Sequence, residues 1–331
     1  MDLYRLGRTD IYISPIGLGC WQFSNGGGLA GGFWDPVPQE EVNEIVRSSL
    51  NGGVNWFDTA EAYGNGRSER ALATALGVGP QPATTEGTTP PATIVATKWM
   101  PLLRFAGSIT RTISERQAAL SPWPIDLFQV HFPASLSSIK AQMDAMAALV
   151  RAERIRSVGV SNFSADQMRR AHKALAAHGL TLASNQVKYS LLDREIERNG
   201  ILDAAKELGV SIVAYSPLAQ GILTGKFHED PSLAKKRKGP RKWMSRFRSS
   251  GLEKSRPLVD RLAEIAQAHE ATATQVALAW TVQFHDRHVV AIPGASKRSH
   301  AEQNAGSMRI RLSAEELSRI DESSRQIIGM A

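Results

Sequence analysis

Along most of the chain, short apolar runs rich in β-branched residues alternate with longer segments whose apolar positions recur every three to four residues. The short runs predict eight strands: Ile16–Gly19, Val54–Asp58, Ile94–Lys98, Leu127–Phe132, Val158–Ser161, Asn185–Lys188, Ile212–Tyr215 and Val289–Pro293. Between them, helical spacing fits Gln39–Leu50, Ser68–Leu76, Ile109–Leu120, Ser137–Arg151, Ala165–Ala176, Gly200–Leu208 and Pro257–Trp280, the last broken near Ala271–Ala273. Ser164 ahead of ADQM, and Ser313 followed three residues later by Glu316, are ready caps for helix starts.

Repeated strand–helix units imply parallel strands, because a tight hairpin cannot join parallel neighbours. Eight such units in 331 residues fit a (β/α)8 barrel, an α/β fold of the TIM type, better than an open doubly wound sheet. Leu3–Leu6 and Ile11–Ile13, joined by the Gly7–Asp10 turn, read as an N-terminal β-hairpin that plugs the barrel. Extra sequence follows the seventh strand, from Ser216 to Arg256, and Ser313–Ile328 reads as an added helix after the eighth. The stretch Gly79–Pro91 reads as an exposed loop before the third strand, so one cooperative barrel domain over residues 1–331 is expected.

Composition adds limits. With 42% hydrophobic and 21% charged residues the chain can bury a substantial core. A single cysteine, Cys20, excludes a disulfide framework or a zinc-finger set and fits a reducing compartment. The first residues hold no apolar run of signal-peptide type and no apolar stretch is long enough to span a bilayer, so a cytoplasmic protein with no membrane partner is expected. The formal charge of +7 has a local origin, because Lys235, Lys236, Arg237, Lys238, Arg241, Lys242, Arg246 and Arg248 lie together with no acid between Asp230 and Glu253. Without these eight, 31 cations face 32 acids. One basic loop offers little of the extended footprint that nucleic acid requires, even with Trp243 and Phe247 as stacking surfaces, so no nucleic-acid partner is expected.

Two glycine patterns are decoys. Gly26, Gly28 and Gly31 spell a dinucleotide-binding motif by letter, but Pro36 and Pro38 follow where a helix would have to open. Gly221–Phe227 resembles a phosphate loop, but has three residues between its glycines and Phe227 where a magnesium-binding hydroxyl belongs. The Asn162-Phe163-Ser164 sequon carries no information without a secretory signal.

The chemistry lies at strand ends. Asp58 closes the second strand, Tyr63 lies in the loop after it, Lys98 closes the third and His131 stands near the end of the fourth. In a parallel barrel these ends converge on one mouth. Burying Lys98 is costly unless a carboxylate pairs with it, and Asp58 on the neighbouring strand is the evident partner. A lysine cation beside a phenol favours phenolate, which predicts a Tyr63 pKa below the usual value of about 10. With His131 aimed at the same oxygen, the four residues make a proton-donating pocket for a carbonyl undergoing reduction. Taken singly, each has a plain structural reading, as a surface tyrosine, a satisfied histidine or an ordinary ion pair; their arrival in strand order at one mouth is what favours chemistry.

The segments WFDTAEAYGNGRSE, IVATKW, QVHF, VGVSNF, SNQVKYSLL, VAYSPLAQGILTGK and IPGASKRSHAEQN resemble the aldo-keto reductase family across essentially the whole chain. The later ones look most like the plant-plastid and bacterial branch that includes pyridoxal reductases. The resemblance implies that Tyr63 donates a proton, that Lys98 and Asp58 tune it and that His131 orients a small-molecule carbonyl substrate. It further implies a nicotinamide cofactor, NADP(H), extended across the mouth without a Rossmann fold. Ser161, Asn162 and Gln186 would then hold the carboxamide and Tyr215 would stack on the ring. Ser216, Pro217, Leu218, Gln220, Gly221 and Lys226 would meet the pyrophosphate, with Cys20, Trp21 and Asp58 near the ribose. Gly294, Ser296, Lys297, His300, Gln303 and Asn304 match the adenosine segment, where Ser296, Lys297 and Arg298 would favour a 2′-phosphate. His300 departs from the family, many of whose members carry Arg there.

Trp21, Phe23, Trp34, Trp99 and Phe132 are candidates to line an apolar substrate pocket. The basic window would be a flap closing over the cofactor phosphates, with Arg241 as its chief contact. The competing reading is a nicotinamide-sensing regulatory subunit on the same barrel with little turnover.

Overall fold

The computed structural model describes residues 2–26, 35–78, 92–235 and 244–329. Gly28, Gly31, Trp34, the Gly79–Pro91 stretch, Arg241, Trp243 and four of the other basic-window residues lie outside the described residues.

A two-stranded antiparallel hairpin, β1 (Tyr4–Arg5) and β2 (Tyr12–Ile13), precedes eight parallel strands. These are β3 (Leu18–Gly19), β4 (Trp56–Asp58), β5 (Ile94–Trp99), β6 (Leu127–Val130), β7 (Ser157–Ser161), β8 (Leu182–Lys188), β9 (Ser211–Tyr215) and β10 (Val289–Ile292), paired in sequence order. Parallel bridges from Ile16 to Ala291 and from Gly19 to Gly294 join the first and last strands and close the (β/α)8 barrel. All eight expected strands are present.

The helices around them are α1 (Gln39–Asn51), α2 (Arg67–Val78), α3 (Gly107–Leu120), α4 (Ile139–Arg151), α5 (Ala165–Ala176) and α6 (Ile201–Leu208). The loop after β9 carries the short α7 (Lys226–Glu229) and α8 (Ser232–Lys235) before α9 (Ser249–Ala268). The chain continues through α10 (Ala273–Gln283), α11 (Arg298–Gly306) and α12 (Ala314–Ile328). Ser164, Thr272 and Ser313 each complete a capping box, with Gln167, Gln275 and Glu316 as the returning partners. One start was misread: Pro257 stands inside α9, which begins eight residues earlier. The missing N–H of Pro257 costs one helical bond, but Leu252 and Ser255 are buried on the same helix, and their packing carries it through the proline.

The hairpin does plug the barrel. Leu6, Ile11 and Ile13 share an apolar cluster with Trp56, Ile94, Ala96, Leu127, Ala183, Val213, Val290 and Ile292, the inward residues of the strands. Its turn needs Gly7, whose φ is +57° and whose Cβ, if present, would lie 2.5 Å from the Ala183 carbonyl. Strand alternation sorts the rest. In β5, Ile94, Ala96 and Lys98 face the barrel axis, whereas Val95 and Trp99 join the outer core under the helices. The barrel axis is therefore apolar at the hairpin end and polar at the mouth.

Candidate active site

The ends of β4, β5 and β6 bring Asp58, Lys98 and His131 together, and the loop after β4 folds Tyr63 over them. Lys98 is fully buried, and its ammonium donates to a carboxylate oxygen of Asp58, to the Thr59 carbonyl at 2.9 Å and to the Tyr63 hydroxyl at 3.4 Å. The other Asp58 oxygen accepts from the side-chain amides of Gln129 and Gln186, both at 2.9 Å. A buried ion pair persists only when its remaining hydrogen-bonding capacity is filled, and this one is filled on both oxygens.

Tyr63 stacks on Trp21, with ring centroids 6.0 Å apart, and meets the His131 ring edge-on at 5.7 Å. Burial holds the Tyr63 hydroxyl above its ordinary pKa, against the opposing pull of Lys98. This corrects the expected lowering: Asp58 already balances the Lys98 charge, so desolvation wins. Burial, reinforced by Lys98, pushes His131 well below the usual histidine range, which makes it a neutral imidazole at neutral pH. Its Nδ1 is buried and has no partner among the described residues.

A cleft of about 1120 Å³ opens above these groups and runs across the barrel mouth. On the near side it is lined by Cys20, Trp21, Asp58, Tyr63, His131 and Phe132. Ser161, Asn162, Gln186 and Tyr215 form its floor at the ends of β7, β8 and β9. Beyond them stand Ser216, Pro217, Leu218, Gln220, Gly221 and Lys226, and at the far end Gly294, Ser296, His300, Gln303 and Asn304. The floor is internally bonded: Tyr215 donates to Asn162 at 3.0 Å, and Asn162 donates to Ser161 at 3.0 Å and to the His131 carbonyl at 3.3 Å. Ser216, Ala219, Gln220 and Gly221 all take positive φ, so the backbone after β9 doubles back along the cleft wall. Burial pushes the Cys20 thiol well above its ordinary pKa, so Cys20 is wall rather than nucleophile.

Other expectations are redirected. Lys297 is exposed and lies outside the lining, at the start of α11. The Arg298 guanidinium donates to Glu302 at 2.7 Å and its backbone N–H to Glu41 at 2.7 Å, both exposed pairs at the start of α11. Of the proposed pocket aromatics, Phe23 and Trp99 are core, because Trp99 follows inward-facing Lys98 and so points to α3, donating to Ser108 at 3.0 Å. Arg246, in the basic window, makes two 3.0 Å bonds to Asp193. Gln129 was missed, although it stands two residues before His131 in an apolar strand and alternation puts both on one face.

The chain belongs to the aldo/keto reductase family, whose family model matches residues 15–325. It is 35% identical to an uncharacterized oxidoreductase of Mycobacterium tuberculosis over 98% of this chain and 92% of that one. It is 31% identical to the chloroplastic pyridoxal reductase of Arabidopsis thaliana, over 92% and 81% respectively. Among solved structures, the glycerol dehydrogenase of Gluconobacter oxydans superposes with a TM-score of 0.81 at 25% identity, covering 99% of this chain and 96% of that one. The family carries out nicotinamide-dependent reduction of small carbonyl compounds. Among the described residues no helix is long and apolar enough to cross a membrane.

Proposed function

We propose that this chain uses NADP(H) to reduce an aldehyde or ketone to the alcohol, with Tyr63 as proton donor. The observation that carries the reading is the fully buried Lys98, bonded to Asp58 and 3.4 Å from the Tyr63 hydroxyl, in a cleft of about 1120 Å³ whose lining continues from these residues to Ser296, His300 and Asn304. The buried His131 Nδ1 and Gln22 Oε1, both on residues lining the cleft and without partners among the described residues, fit a site built to bind a polar ligand. When bound, the nicotinamide supplies the hydride.

The chain's own residues do the rest. Tyr63 stays protonated at neutral pH because it is buried, and so can give its proton to the carbonyl oxygen. Lys98 stands ready to stabilise the phenolate that remains, and Asp58, held by Gln129 and Gln186, fixes Lys98 in place. A neutral His131 is able to donate to the substrate oxygen and set its orientation. Gln186 commits its amide nitrogen to Asp58, leaving its oxygen to receive a carboxamide N–H, beside Ser161 and Asn162. Tyr215, oriented by Asn162, would stack on the ring. Ser216 to Gly221 and Lys226 would hold the pyrophosphate, Ser296 and His300 the 2′-phosphate with Lys297 as a nearby cation, and Gly294, Gln303 and Asn304 the adenosine. The carbonyl would sit among Trp21, Tyr63, His131 and Phe132.

The test is Tyr63→Phe. NADPH affinity should stay within about threefold while turnover of a panel of aldehydes, followed at the nicotinamide absorbance, drops by about 10² or more. Full activity in that variant would sink the mechanism. Tight cofactor binding with no turnover of any carbonyl by the parent protein would favour the regulatory reading instead.

A further inference from the structure

Tyr63, Lys98 and His131 are carried on three different loops or strand ends, and one residue outside the cleft lining bonds to all three segments, to the first two through its side chain and to the third through its backbone. Arg104, in the turn after β5, donates to Glu61, two residues before Tyr63, and to the Met100 carbonyl at 3.1 Å, two residues after Lys98. Its own carbonyl accepts from Leu136 N–H at 3.1 Å and from the Ser135 hydroxyl at 2.9 Å, in the loop that follows His131. The remaining guanidinium bonds go to Ser108 at 3.1 Å and Thr112 at 2.9 Å on α3, and the guanidinium lies 5.4 Å from the centre of the Trp99 ring.

Glu61 completes the tie. The carboxylate oxygen that accepts from Arg104 also accepts the Met100 backbone N–H at 2.6 Å, and the Glu61 N–H reaches the Lys98 carbonyl at 3.3 Å. The Glu61 side chain is only 11% exposed. An arginine at the rim of a barrel is ordinarily a solvated charge worth little. This one makes directed side-chain bonds to four other residues and stands beside Leu103, whose φ of +55° and 78% exposure put a bulky apolar residue in a strained, solvent-facing turn. The bonds of Arg104 and Glu61 hold the Tyr63 loop against the Lys98 strand.

We propose that Arg104, through Glu61, is a positioning residue that sets the Tyr63 hydroxyl at its working distance from Lys98 and His131. It lies outside the cleft lining, and Glu61, two residues before Tyr63, is the route by which its side chain acts on the site. Planarity matters, because lysine can present one charge but not the fork that reaches Glu61, Met100 and α3 together. The inference rests on the reading of Tyr63 as proton donor.

The test is a double-mutant cycle on the intact protein, with NADPH and a panel of aldehydes. Arg104→Gln should lower kcat by about 30-fold while the NADPH dissociation constant and the aldehyde KM each move by less than about threefold. Arg104→Lys should recover only part of the loss. In the Tyr63→Phe background, adding Arg104→Gln should cost nothing further, because the group it positions is gone. Losses that multiply across the two sites, or a kcat for Arg104→Gln within about threefold of the parent, would overturn the proposal. A Glu61→Gln variant checks the route and should reproduce the kcat loss; unchanged turnover there counts against it even if Arg104→Gln is impaired. Full activity of Tyr63→Phe, or no turnover of any aldehyde by the parent protein, would overturn the functional reading and this inference with it. Activity lost in Tyr63→Phe but kept in Arg104→Gln would overturn this inference alone.

Discussion

Two buried arginine–glutamate pairs on different parts of the barrel have opposite proton affinities. Glu69, on α2 behind β5, is fully buried and accepts from Thr97 and Arg116, both at 2.7 Å. Burial holds its carboxyl at a pKa of about 7, outweighing Arg116. Glu197, in the turn before α6, is also buried at the side chain, yet its pKa falls to about 2. It accepts from Tyr189 at 2.6 Å, from two Arg194 nitrogens at 2.9 and 2.8 Å and from His285 at 3.1 Å. Desolvation pushes both acids upward, more so for the fully enclosed Glu69, and the extra donors around Glu197 turn its balance the other way. Two donors leave a buried carboxylate poised to protonate; four keep it charged.

The pairs also differ in what they hold. Arg194 is completely enclosed, lies over the Trp280 and Phe284 rings and reaches Ser324 and Asp321 on α12, so Glu197 anchors the C-terminal helix to the barrel. Glu69 packs against Thr97, the residue before Lys98, and thus backs β5 from outside. The largest expected effect is therefore Arg194→Met, which strands Glu197 without its fork. Stability should fall by about 3–5 kcal/mol, read as a lower urea midpoint at constant m-value. A loss under about 1 kcal/mol would break the comparison.

Next comes pH. Protonated Glu69 is favoured by the fold, so its contribution is fully present below the unfolded value near 4.5 and is lost as pH rises through about 7. Gln stands in for the protonated acid, so whatever Glu69→Gln costs through altered hydrogen bonding is the same at every pH, while the gap to the parent should narrow by about 2 kcal/mol between pH 5 and pH 8. A gap that is constant or widens with pH would refute the raised pKa. Glu197 has the reverse sign: its contribution is present above about 4.5 and is lost as pH falls toward 2. Glu197→Gln should flatten the acid limb of stability and leave the neutral-to-alkaline limb as it was. The smallest expected effect is Thr97→Val, which removes one of the two Glu69 donors at little change in shape and should cost about 1 kcal/mol. An equal loss from Thr97→Val in a Glu69→Gln background would show that the threonine acts through packing instead.

Neither pair was visible in the sequence, whereas Asp58 and Lys98 were. Asp58 and Lys98 end two apolar strands that are neighbours in chain order, so parallel pairing alone brings them to one mouth. Glu69 sits in a helix where a glutamate is ordinary, and only the packing of α2 against β5 and α3 shows that it is sealed from water. The same holds for Arg104, which reads as a loop cation until the turn after β5 folds it onto Glu61. Trp99 went the other way: it looked like a pocket wall, and strand alternation sent it to the core.

The apolar runs and their period determined eight parallel strands, the hairpin plug and the gathering of Asp58, Tyr63, Lys98 and His131 at one end, because burial of both faces of an inner strand is written into local composition. Charge state and orientation were decided by the tertiary structure. The pKa of Tyr63, the neutrality of His131, the saturation of Asp58 by Gln129 and Gln186 and the opposite shifts of Glu69 and Glu197 all depend on how many donors arrive and how much water leaves. Those quantities belong to the packed environment, and they arise only when distant segments meet.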